Sequence, residues 1–153
     1  MKKLSFYLSL LISLLMILSL NSCNSPSLFG KKVKKEYFQG GKIRSEFIMD
    51  DKTEQNGILK QYGYEGELKS LTHITNGVKN GEELGYDKEG RVISRYSYIN
   101  GKLHGTQISY YPNGDKMITH PYINGILHGK GRAYRIDGKV SKEVTYKNGK
   151  LLH

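Results

Sequence analysis

Glycine recurs on a fixed step along this chain. Gly57, Gly81, Gly105 and Gly129 form one register, Gly66, Gly90, Gly114 and Gly138 a second, and Gly77, Gly101, Gly125 and Gly149 a third. Each step is 24 residues (81 − 57, 90 − 66, 101 − 77), and these registers hold 12 of the 18 glycines. A period of that length is the mark of a repeat array, in which each unit packs mainly on its neighbours. Tyrosine keeps the same step at Tyr62, Tyr86, Tyr110, Tyr134 and at Tyr98, Tyr122, Tyr146. An imperfect unit comes first, near Tyr37. There Gly41 to Gly57 spans 16 residues against 15 for Gly66 to Gly81, which places one inserted residue near Asp50-Asp51-Lys52.

Each unit reads as two turns and two extended runs. Glu65-Gly66, Glu89-Gly90, Asn113-Gly114 and Asp137-Gly138 are expected to be two-residue hairpin turns, glycine supplying the positive φ. The second turn reads as a longer corner with a glycine at each end, Asn76-Gly77 to Gly81, Asn100-Gly101 to Gly105 and Asn124-Gly125 to Gly129. Between turns the pattern alternates as a strand does. In Arg91 to Ile99, Val92, Ser94, Tyr96 and Tyr98 are expected on one side and Arg91, Ile93, Arg95 and Ser97 on the other. The expected fold is therefore all-β, an elongated antiparallel meander of about five β-hairpins, largely single-layer. About ten strands at ~4.8 Å each give a sheet on the order of 45 Å long. One face is expected to carry both tyrosine columns with Leu68, Val92, Val140, Leu84 and Ile108. Gln61, Gly85, Ser109 and Ala133 take the intervening position. Pro121 removes a ladder donor and predicts a bulge or weak pairing in its unit. The charged run Lys139 to Lys150 is expected to protect the end strand.

Composition supports the thin architecture once the N-terminus is set aside. The apolar share is 37%, but 14 of those residues lie within the first 22, so the remainder is lean for one domain. Lys2 and Lys3 precede an uncharged run, Leu4 to Leu20, that suits a secretory signal and is short for a spanning helix. Leu20-Asn21-Ser22-Cys23 resembles the bacterial lipobox, and Cys23 is the only cysteine. The expected organisation is a lipoprotein signal peptide over 1–22, a lipidated N-terminus and basic tether over 23–35, and the repeat domain over 36–153. The alternative at Cys23 is an uncleaved anchor or plain signal with an incidental cysteine. Acylation of Cys23 by more than one chain satisfies the requirement for stable anchoring. Lys31, Lys32, Lys34 and Lys35 read either as a solvated stalk or as added attraction to anionic head groups.

The segment Tyr98-Ile99-Asn100-Gly101-Lys102-Leu103-His104-Gly105, followed by Tyr110-Tyr111-Pro112-Asn113-Gly114, resembles a MORN-variant repeat, as does Tyr122 to Gly129. Gly129-Lys130-Gly131 is similar to the glycine-x-glycine of the standard unit. The likeness runs from about Tyr37 to the C-terminus and is strongest in the last three units; the first two keep the glycines and lose the His. Bacterial members are often labelled putative antitoxins and many resemble exported lipoproteins, which implies a protein partner and no catalytic residues.

The remaining chemistry is sparse. His104 and His128 occupy equivalent corners that lie two strand spacings apart, roughly 10 Å, so they read as turn residues and not as metal ligands. Glu82 and Glu83 point to opposite sides of a strand, which argues against paired acid–base catalysis. No phosphate loop precedes a helix. The expectation is a non-catalytic chain without cofactor or metal. The net charge of +10 falls to +8 (10 − 2) when Lys2 and Lys3 are removed. Basic strands with tyrosines can stack bases, but export to an envelope argues against nucleic acid. Tyr62, Tyr86, Tyr98, Tyr110, Tyr122, Tyr134 and Tyr146 read as cross-strand ladders, as a recognition face for an unidentified protein, or both. The expected role is a membrane-anchored, protein-binding module of the cell envelope, on the outer membrane where two are present because Asn24 follows Cys23. An antitoxin or immunity-type inhibitor and a cell-wall-associated structural module are the alternatives.

Overall fold

The computed structural model describes residues 31–152. The signal segment 1–22, Cys23 and the tether up to Gly30 lie outside the described residues, as does His153. The strands are β1 (Val33–Tyr37), β2 (Ile43–Met49), β3 (Gly57–Tyr62), β4 (Leu68–Thr75), β5 (Val78–Tyr86), β6 (Val92–Ile99), β7 (Lys102–Leu103), β8 (Gly105–Tyr110), β9 (Lys116–Ile123), β10 (Ile126–Leu127), β11 (Gly129–Tyr134), β12 (Val140–Lys147) and β13 (Lys150–Leu152). They form one antiparallel sheet in the order β1-β2-β3-β4-β5-β6-β8-β9-β11-β12-β13, with β7 on β6 and β10 on β9. Every strand lies beside its sequence neighbours, and the sheet is open, as the repeat period predicts. The strand count exceeds the expected ten because β7/β8 and β10/β11 are each one run broken at His104 or His128, where the preceding unit has the continuous β5, and because the short β13 follows the fifth hairpin.

The two turn types are the reverse of the sequence expectation. Asn76, Asn100, Asn124 and Asn148 have φ between 48° and 52°, and the glycines after them between 75° and 85°. Thr75 pairs with Val78, Ile99 with Lys102, Ile123 with Ile126 and Lys147 with Lys150. These Asn-Gly pairs are the two-residue hairpins: two consecutive positive φ values make a type I′ turn, and Asn is the non-glycine residue that best tolerates the left-handed region. At Glu65-Gly66 and its equivalents the loop is longer. Gly63 N–H donates to the Glu67 carbonyl and Gly66 N–H to the Gly63 carbonyl, with Gly66 at φ +91°, which is a three-residue loop closed by a glycine bulge. The inserted residue in the first unit is real: Met49 pairs directly with Gly57 across the loop at residues 50–56, tied by Asp51 to Thr53 and Asn56.

The tyrosine columns also part company. Glu46, Lys60, Leu71, Leu84, Arg95, Ile108, Thr119, Arg132 and Glu143 are successive Cα partners, so they share one face, here the front. Tyr62, Tyr86, Tyr110 and Tyr134 each stand two residues beyond a member of that row and point the same way. Tyr98, Tyr122 and Tyr146 each stand three beyond one, and point to the back. The single tyrosine face expected from sequence is therefore two half-faces. Val92 keeps the face of Leu84 and Ile108 but parts from Ser94, Tyr96 and Tyr98, with which strict alternation groups it. Gly85 pairs with Ser94 but Tyr86 with Val92, leaving Ile93 over, and this bulge turns Val92 to the front beside Arg95 and Tyr110.

Little of this sheet is buried. Met49 is the one large apolar side chain buried among the described residues; the other buried side chains are Ser45, Ser70, Thr72 and Thr119. Two solvated faces leave the hydrogen-bond ladder and half-buried cross-strand pairs to hold the sheet, as a largely single-layer meander requires. Pro121 does sit at a bulge, but not one of its own making. Tyr98 pairs with Leu103 and Arg95 with Ile108, three residues against five, and Tyr122/Leu127 with Thr119/Arg132 repeats the offset. The bulge recurs at Ser97, where His104 N–H donates to the Ser97 carbonyl at 2.9 Å as His128 N–H does to that of Pro121 at 3.1 Å, and on its other side Thr106 pairs with Pro121 in unbroken register. The sheet begins at Val33, which makes Lys34 and Lys35 strand residues instead of tether. At the far end, Lys142 and Glu143 are exposed on β12.

Candidate interaction surface

On the front, two of the turns and their adjoining strands frame shallow grooves, each with a tyrosine on one wall. The first is lined by Lys42, Ile43, Glu46, Tyr62 and the Glu65-Gly66 turn. A second, at equivalent positions, is lined by Arg91, Val92, Arg95, Tyr110 and Pro112-Asn113-Gly114. The repeat thus keeps an aromatic ring and a branched aliphatic side chain at fixed places while the charge beside them changes from Glu46 to Arg95. In the first groove the charge is locked. Tyr62 donates to Glu46 at 2.7 Å, and Lys35 reaches the same carboxylate at 3.0 Å. Burial and that hydrogen bond push the Tyr62 hydroxyl up to about 12, while the Tyr62 hydroxyl and the Lys35 ammonium hold Glu46 below the usual carboxylate range. In the second groove, Arg91 is held by Asp87 at 2.7 Å and Glu89 at 2.9 Å, whereas Arg95 lies 3.7 Å from Glu82 and stays half exposed.

The back tyrosines have a packing task. Tyr98 faces Gly81 on one side and Leu103 on the other; Tyr122 faces Gly105 and Leu127; Tyr146 faces Gly129 and Leu151. A Cβ on Gly131 would meet the Tyr146 ring at 3.2 Å, whereas one on Gly81, Gly105 or Gly129 would meet His73, Ser97 or Pro121 and not the ring. Tyr96 and Tyr98 lie 6.5 Å apart between centroids, His120 and Tyr146 6.4 Å, and Lys79 stands 4.9 Å from the Tyr98 ring centre. All seven predicted tyrosines are half-buried. Four are assembled on the front and three on the back, so they do not form one surface.

Sequence reading missed a row of exposed aliphatics at the Asn-Gly edge. Val78, Ile99, Ile123 and Ile126 flank the turns and are 43–51% exposed. The signal was available, since they are the residues immediately before or after the turns at Asn76, Asn100 and Asn124. The same edge explains His104 and His128. Asn56 Oδ1 accepts the N–H of Asn76 at 2.9 Å and Asn80 Oδ1 that of Asn100 at 3.3 Å. His104 and His128 hold that place in the next two units, their Nδ1 atoms 3.4 and 3.3 Å from the Asn124 and Asn148 amide oxygens. They cap the next turn, and among the described residues no three potential ligands converge on a metal site. The basic cluster is met by carboxylates of the sheet itself: Lys31 by Asp50 at 2.9 Å, Lys32 by Glu54, and Lys35 by Glu46. That leaves less of its charge for lipid head groups than the sequence suggests. Cys23 lies outside the described residues.

Residues 103–124 match the family described as the MORN repeat variant. The matched stretch starts on β7 and ends at Asn124 of the next turn, close to one structural period. No curated protein matches the chain.

Proposed function

We propose, from the premise that this chain carries the MORN repeat variant, that it is a non-catalytic binding module held at a membrane surface by lipid on Cys23, with a protein of the cell envelope as its partner. The observation that supports a binding role is the front face. Tyr62, Tyr86, Tyr110 and Tyr134 recur there at two strand spacings, roughly 10 Å, Tyr62 and Tyr110 each beside an open groove, with no second layer over them among the described residues. Rigid aromatic rings with a polar tip favour protein contacts. Tyr98, Tyr122 and Tyr146 serve the sheet instead.

The test uses the full chain in its own membranes. Tyr86→Ala with Tyr110→Ala is expected to abolish cross-linking to the partner while Tyr98→Ala lowers stability and leaves cross-linking in place. Equal loss from both variants rejects the front face. A single stoichiometric toxic partner makes the chain an antitoxin or immunity-type inhibitor; several abundant envelope proteins, or wall material, make it a structural module. Anchoring is tested separately: Cys23→Ser is expected to remove labelling by a fatty-acid probe and release the chain from the membrane fraction, and unchanged labelling rejects the anchor. Outer-membrane placement, suggested by Asn24 after the acylated cysteine, is read from the same fractionation.

A further inference from the structure

The two ends of the sheet are halves of one repeat junction. In the interior, a strand such as β9 meets its successor in two pieces: β10 pairs beside the turn at Tyr122 and Ile123, and β11 pairs further along, Arg132 with Thr119 and Ala133 with Ile118. β12 is the last strand of the β9 kind. β13 covers it beside the turn, at Thr145–Lys147, and among the described residues nothing pairs with the outer side of Val140–Val144. β1 is a strand of the β11 kind, since Tyr37 pairs with Ile43 across a bulge as Tyr134 pairs with Val140. Among the described residues β1 pairs with β2 alone, and all five of its residues are exposed.

Carrying the interior register across the two ends gives specific partners. Glu143 stands 24 residues after Thr119 and Lys142 24 after Ile118, while Lys35 and Glu36 hold in β1 the places of Arg132 and Ala133. The register therefore sets Lys35 opposite Glu143 and Glu36 opposite Lys142. Both pairs join opposite charges, which is what adjacent strands require. The front row then runs Arg132, Glu143, Lys35 of the next copy, Glu46 of that copy, alternating in sign through the joint. Arg132 already lies 2.8 Å from Glu143, and Lys35 3.0 Å from Glu46.

We propose that the occupant of the β12 edge is a second copy of this chain, docked through β1 in the register of the repeat. Different edges meet at the joint, so the contact is heterologous and does not close at two copies; copies add head to tail into a row. The joint is one short strand pair, small beside a standard interface, and association is weak and concentration-dependent.

Sedimentation velocity on the full-length chain in detergent, over a range of concentrations, tests this. The native chain is expected to pass through dimer, trimer and higher species. Lys35→Glu and Glu143→Lys, each alone, are expected to weaken association at least tenfold, and the chain carrying both is expected to recover it. An equimolar mixture of the two single variants is expected to recover association beyond dimer, with the variants alternating, because both joints between unlike variants pair opposite charges and neither joint between like variants does. Since Glu143 also binds Lys130 and Arg132 within its own chain, Glu36→Lys with Lys142→Glu repeats the swap at a second pair. The proposal is overturned if the native chain remains monomeric at every concentration, if the single swaps leave association unchanged, or if association halts at dimer and responds to position 143 or position 35 alone, which would mark a symmetric edge.

Discussion

At the scale of single residues, conformational permission decides more than side-chain chemistry. Asn100 at φ 48° and Gly101 at φ +78° can sit together only where both left-handed residues are tolerated. Replacing Gly101 by Ala is expected to cost roughly 1–2 kcal/mol, and Asn100→Gly little, both measured by urea unfolding. Thr72 is 1% exposed and its hydroxyl has no hydrogen-bond partner. Thr72→Val keeps the shape and removes the stranded group, so it is expected to raise stability by about 1 kcal/mol. Tyr62 offers a titration test. Its hydroxyl, pushed up from 10.0 to about 12, keeps its proton in the folded chain after the unfolded chain has lost its own. The stability it contributes is full below pH 10 and falls as pH rises from 10 towards 12. Burial and the nearby Glu83 also push the Tyr98 hydroxyl up, so absorbance of tyrosinate is expected to show a late phase that Tyr62→Phe shrinks and does not abolish, and a late phase of unchanged size in that variant would refute the assignment.

At the scale of elements, the bulges organise the faces. Strand and turn positions were legible from the glycine period because a glycine with positive φ is hard to replace. The assignment of loop lengths was not: Asn113-Gly114 closes a three-residue loop as Glu65-Gly66 does, while Asn100-Gly101 forms a two-residue turn with both residues left-handed, so the dipeptide alone does not set the length. The bulge at Ile93 was equally hidden, since alternation continues through it in the sequence while the pairing skips a residue. Pro121 is a useful probe of this level. Because the bulge at Ser97 forms without proline, Pro121→Ser is expected to change stability by no more than about 0.5 kcal/mol. Thr119→Pro, in the regular ladder two residues earlier, is expected to cost several times as much, because it removes a ladder hydrogen bond inside the sheet. Equal effects in thermal unfolding would mean that the bulge depends on the proline.

At the scale of the whole sheet, the period itself is the stabilising unit. Deleting residues 100–123, one full period, rejoins equivalent positions and is expected to preserve the β-sheet circular dichroism with modestly reduced stability. Deleting 100–111, half a period, brings a turn against a strand and is expected to unfold the chain. Acid should loosen the array. Glu46 is held below the usual carboxylate range by Tyr62 and Lys35, and Glu143 by Lys130 and Arg132, so what these pairs contribute is present above about pH 4.5 and is lost as pH falls below it. A melting temperature that stays level from pH 6 to pH 3 would contradict this.

The sequence by itself determined the repeat length, the antiparallel order, the thinness of the core and the insertion in the first unit. All of these follow from which residues accept positive φ and from how few apolar side chains remain to be buried. Tertiary structure alone decided that the tyrosines divide between two faces, that Val92 turns to the front, that His104 and His128 cap the following turn, and that the two end strands carry matching charges. Each of these depends on register, and register is set by hydrogen-bonded neighbours 10 to 24 residues away, through bulges that leave no periodic mark in the chain.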